Sequence, residues 1–134
     1  MDREKGGGTQ YSKNKGVLEG KWMYQYNGKC IEIDGIKHEF KYDIRKVVKY
    51  EGRYVVLLSI PFNSQEINNI YCLDSQGNLV WRSEDLATLY PTIKNLPYEQ
   101  MGIKDDAIYA SDFYGRNYKM NLDTGKIEDC TIVK

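Results

Sequence analysis

The sequence has a single histidine, His38, only three prolines and three cysteines, and no surplus of either charge: 19 Lys and Arg stand against 19 Asp and Glu. Each shortage excludes something. Histidine is the commonest general base near neutral pH, so a Ser-His-Asp or Cys-His centre would have to use His38. Lys37 and Glu39 flank it in an alternating segment, and no GxSxG motif accompanies it. It reads as a strand residue alternating with solvent. Phosphate contacts normally come from a basic surplus, so the balanced charge argues against nucleic acid and anionic membrane surfaces as partners.

Cys30, Cys72 and Cys130 lie far apart and form no CxxC pair, which excludes a zinc knuckle or a thioredoxin-type motif. They read as buried thiols, and the odd count points to a reducing, cytoplasmic setting. No apolar run reaches the length of a membrane helix. Neither GxGxxG nor GxxxxGK[ST] occurs. Asp74 to Asn78 lacks the spaced acids and closing Glu of a calcium loop, and Asp105-Asp106 reads as a charged turn. The expectation is therefore no enzyme, no metal and no cofactor.

What the chain does have is tyrosine, 12 in 134 residues, and glycine placed as punctuation. Met1 to Lys15 is polar, carries Gly6-Gly7-Gly8, and reads as a disordered leader. From residue 16 to 134 one β domain is expected, because apolar residues recur at every second position between turn signals. Val17 to Tyr26 reads as a strand with Trp22, Tyr24 and Tyr26 on one face. Asn27-Gly28 and Asp34-Gly35 are hairpin turns, since both tolerate positive φ. Asp43 to Tyr50 should pair with Arg53 to Ile60 around Glu51-Gly52. Its second arm, Tyr54-Val55-Val56-Leu57-Leu58, is apolar throughout and belongs in a sheet centre with both faces covered.

A third hairpin joins Asn69 to Leu73 with Leu79 to Arg82. Ser83 to Leu96 is the helical candidate, with Ser83 as cap and Pro91 as limit. Tyr98 to Ile103, Ala107 to Asp112, Arg116 to Leu122 and Lys126 to Val133 are the closing strands. The fold class is all-β: an antiparallel meander, a propeller-like fragment or a small two-sheet sandwich, with at most one short helix.

Two segments, Ile70 to Arg82 and Ile108 to Ile127, resemble blades of β-propellers of the pyrroloquinoline-quinone-repeat type. In each, an apolar strand ends in Asp and the chain turns through Gly; the first keeps the blade tryptophan as Trp81, the second has no Trp after its Leu-Asp-Thr-Gly-Lys turn. The resemblance implies blade-like hairpins. It does not imply a closed ring, which takes four to eight blades of about 40 residues. It does not imply quinone binding. The chain is also similar in general character to small bacterial immunity-type proteins. Open sheet edges of such a fragment would invite a homodimer.

With no reactive centre in view, aromatic side chains are the binding candidates: Trp22, Tyr24 and Tyr26 on one strand, and Tyr109, Phe113, Tyr114 and Tyr118 around the Gly115 turn. Rings anchor protein interfaces and stack on sugars. The competing reading is that each set is the core face of its strand. The expected function is a non-enzymatic protein-binding module, with an inhibitor or immunity role; the alternative is a carbohydrate-binding domain.

Overall fold

The computed structural model describes the backbone of residues 17–18, 21–22 and 24–132 and the side chains of 24–131. Met1 to Lys15, expected above to be a leader, and the side chain of Trp22 lie outside the described residues. A short ladder pairs β1 (Val17–Leu18) with β2 (Lys21–Trp22). Three antiparallel sheets follow, each a meander in chain order. The first contains β3 (Tyr24–Asn27), β4 (Cys30–Ile33) and β5 (Ile36–Glu39). The second contains β6 (Ile44–Tyr50), β7 (Arg53–Leu58), β8 (Ile70–Leu73) and β9 (Leu79–Arg82). The third contains β10 (Tyr98–Lys104), β11 (Ala107–Asp112), β12 (Arg116–Asn121) and β13 (Ile127–Ile132).

Turn chemistry explains the hairpins. Asp34-Gly35 and Glu51-Gly52 have positive φ at both positions, as type I′ hairpin turns require, whereas the expected Asn27-Gly28 turn lies one residue on, at Gly28-Lys29, with Asn27 paired to Cys30. Asp105-Asp106 does the same without a glycine, which short acidic side chains tolerate. Asp74 Oδ1 accepts from the amides of Gln76 and Asn78, and Asp112 Oδ1 from those of Tyr114 and Arg116. The two turns thus share one construction, with the carboxylate holding amides two and four residues on.

The second sheet is the middle layer. On β7, Tyr54, Val56 and Leu58 pack with Ile31 and Ile33 of the first sheet, while Val55 and Leu57 pack with Tyr98, Met101, Ile108, Tyr118 and Met120 of the third. That two-sided burial is why the strand is apolar at successive positions, and each such Val or Leu stabilises by about 1.5–3 kcal/mol. Tyr24 lies edge-on to Tyr54, with centroids 5.1 Å apart.

Both junctions are also keyed by a ring set on a glycine. The Trp81 indole lies over Gly125, where a Cβ would come within 2.4 Å of Cε3, and its N–H donates to Leu122 O at 2.9 Å. His38 lies over Gly77 in the same way, its Nε2 buried and without a hydrogen-bond partner. The sequence reading of His38 as solvent-alternating is thereby corrected: the residue is partly buried, because Gly77 of the neighbouring sheet covers the ring.

Two further expectations change. Val17 to Tyr26 is not one strand but three short ones. The helix is a single turn, α1 (Leu86–Leu89), capped by Asp85 rather than Ser83. Asp85 accepts from Ala87 N, whereas Ser83 is buried and its amide bonds to Ile70 O, extending the sheet instead.

Candidate functional site

The meander sends alternate connections to opposite ends of the stack. Arg45 reaches Glu99 at 2.8 Å and Lys46 reaches Met101 O at 2.7 Å, so β6 and β10 begin side by side. A hydrogen bond from the Tyr50 hydroxyl to Asp106 joins their far ends. The far end carries tight turns. The near end gathers the 59–69 and 83–97 connections and the 113–115 turn.

These segments are fastened to one another by buried polar side chains. Asn69, 1% exposed, donates to Leu58 O and Tyr98 O and accepts from Tyr98 N at 2.8 Å. Asn68, at φ 58°, accepts from Leu86 N and donates to Asp85. Bonds from Asn68, Thr88 and the Ala87 amide hold the Asp85 carboxyl below its ordinary range. Arg116 pairs with Asp112 at 2.7 Å, both nearly buried, and donates to Lys94 O at 2.9 Å. Asn95 donates to Tyr90 O at 3.0 Å. The connections are therefore pinned, which lowers the ordering cost of any binding event.

Between them lies an open cleft of about 870 Å³. Four large apolar side chains stand exposed around it: Phe62 fully, Phe113 at 80%, Tyr114 at 63% and Ile93 at 44%. They come from three separate segments. The Phe113 and Tyr114 rings are tilted by 51° at 6.1 Å, and the Arg116 guanidinium sits 5.7 Å from the Tyr114 centroid. On the rim, Glu66 is held by Arg82 at 2.9 Å and Lys41 at 3.8 Å, and Glu99 by Arg45 at 2.8 Å.

The aromatic candidates read from sequence go to different places. Tyr24 and Tyr26 are half-buried and pack on the core between the first two sheets. Tyr109, 42% exposed, faces a shallow concavity of about 520 Å³ lined by residues of both the second and third sheets, among them Arg45, Lys46 and Asn117. Phe113 and Tyr114 line the cleft. Tyr118 is corrected as a binding residue: it is fully buried against Tyr98, at 5.4 Å between centroids, and cannot touch a partner. Register explains the split, since Tyr109 opposes Lys119 while Ala110 opposes Tyr118, on opposite faces of the sheet.

Sequence reasoning missed Phe62 and Ile93. The available signal was an aromatic and a β-branched residue stranded in Pro- and Asn-containing connections, without strand partners. Among the described residues no group of three or more His, Cys, Asp or Glu is placed to hold a metal ion, and no helix is long and apolar enough to cross a membrane.

A family model described as "Domain of unknown function (DUF7957)" matches residues 22–132. No curated protein matches. The fold is similar to that of the computationally designed Ika8 protein, with a TM-score of 0.57 and 8% sequence identity over 81% of this chain and 32% of that one. The likeness is one of fold alone, and the part of the designed protein matched is about a third of its length.

Proposed function

We propose that this chain, which belongs to the DUF7957 family, is a protein-binding module that acts by covering its partner with the loop end of the stack, as an inhibitor or immunity-type protein does. One observation carries the reading: Phe62, Ile93, Phe113 and Tyr114, from three connections, are held exposed around one cleft by buried asparagine and arginine clamps. Large apolar residues left singly on a surface need no explanation, but a cluster with a polar rim marks an interface. Aromatic anchors at the centre and ion pairs at the edge are the usual anatomy of such a surface.

The test uses the full chain as bait in its host, with the double variant Phe62→Ser/Phe113→Ser as control. Both side chains are exposed, so the variant is expected to melt within about 0.5 kcal/mol of the parent. A partner recovered in stoichiometric amount by the parent and lost with the variant supports the reading. Equal recovery by both proteins removes this end of the molecule from consideration. Binding of a glycan in place of a protein, lost with the same variant, would replace the module's partner class.

A further inference from the structure

Charge around the cleft is unevenly satisfied. Both rim carboxylates are engaged, Glu66 with Arg82 and Lys41 and Glu99 with Arg45. Lys94 is exposed, and among the described residues no carboxylate pairs with its ammonium. Its backbone is fixed, because Lys94 O accepts from the buried, ion-paired Arg116. An approaching basic group would have to displace an arginine to meet a carboxylate. An approaching acid meets a cation with no competing pair to break.

We propose that the cleft takes an extended peptide segment of the partner, carrying two apolar side chains and one Asp or Glu. The apolar pair would lie against Phe62, Ile93, Phe113 and Tyr114; the acid would face Lys94. The inference rests on the protein-binding reading above and adds the chemistry of what is bound. Apolar contact supplies the affinity, and the Lys94 pair supplies selection between sequences and a salt-dependent on-rate.

A library of random short peptides selected on the full chain tests this, with parallel selections on Phe62→Ser/Phe113→Ser and on Lys94→Glu. The parent should enrich peptides that combine apolar positions with an acid. The double variant should enrich none of them, and Lys94→Glu should exchange the acid for Lys or Arg. For the best acidic peptide, Lys94→Ala should weaken binding about two- to fivefold at low salt and by less at high salt. A parent pool without an acid preference overturns the peptide chemistry and leaves the interface in place. A pool identical on the double variant, or no enrichment at all, overturns both. Sedimentation showing a dimer that the double variant dissolves would make a second copy the occupant and overturn the proposal.

Discussion

Single residues decide where this chain can tolerate change, and the glycines show it best. Gly125 and Gly52 both have positive φ, 75° and 81°. A Cβ at Gly52 meets nothing within 4 Å, whereas one at Gly125 falls 2.4 Å from the Trp81 ring. Gly52→Ala therefore incurs only the backbone term, about 1–2 kcal/mol. Gly125→Ala adds displacement of a buried indole whose N–H is bonded to Leu122 O, and should lose at least about 3 kcal/mol. Urea unfolding of the two variants checks the difference; equal losses would mean that the indole does not key the junction. Both glycines stand out in the sequence as turn residues. Only the packing shows that one of them is also a seat for a ring.

At the scale of elements, strands and connections differ in how they are held. The strands are fixed by period and turn, and the register follows: Val47 opposes Val56 and Val55 opposes Cys72 across the middle sheet. The connections have no ladder and depend on side chains. Asn69 is the clearest case, since its amide serves two carbonyls and an amide from two elements. Asn69→Ala would leave Tyr98 N and two carbonyls short of partners and should cost about 3 kcal/mol. Hydrogen exchange should locate the loss, with faster exchange at Tyr98 and through 83–97 than in β7. Uniform acceleration over the whole chain would show instead that the asparagine supports the global fold. The sequence announces none of this, because an Asn before a strand is as common in a plain turn.

Among the described residues, three larger sheets and the short β1–β2 ladder are present, with one core between each pair of neighbouring larger sheets, and the outer face of the third sheet is polar. On the third sheet, Gln100, Ser111, Asn117 and Thr131 form one cross-strand row, and Gly102, Tyr109, Lys119 and Asp129 the next. The core between the second and third sheets encloses ionisable groups in neutral form. Burial pushes the Cys72 thiol up to about 11 from 9.0 and the Tyr118 phenol up to about 12 from 10.0, and raises Tyr98 likewise. The unfolded chain releases these protons first. The stabilisation they give is full below about pH 9 and is lost as pH rises through 11 to 12. Urea midpoints should hold from pH 7 to about 9 and then fall, and the fall should be shallower in Tyr118→Phe. A flat profile to pH 12 would contradict the burial of these groups.

The sequence determined the strands beyond Cys30, most of the turns and the two-sided middle strand, because alternation and left-handed corners are local properties that a few neighbouring residues settle. The tertiary structure alone decided which aromatic residues stay outside. Tyr118 and Phe113 lie five positions apart in similar company, yet one is sealed beneath Tyr98 and the other stands in solvent. Which side of a sheet is covered depends on the neighbouring layer, and a strand's own residues do not encode that layer's position. For the same reason the cleft, assembled from three distant connections, became visible only once the buried clamps had brought them together.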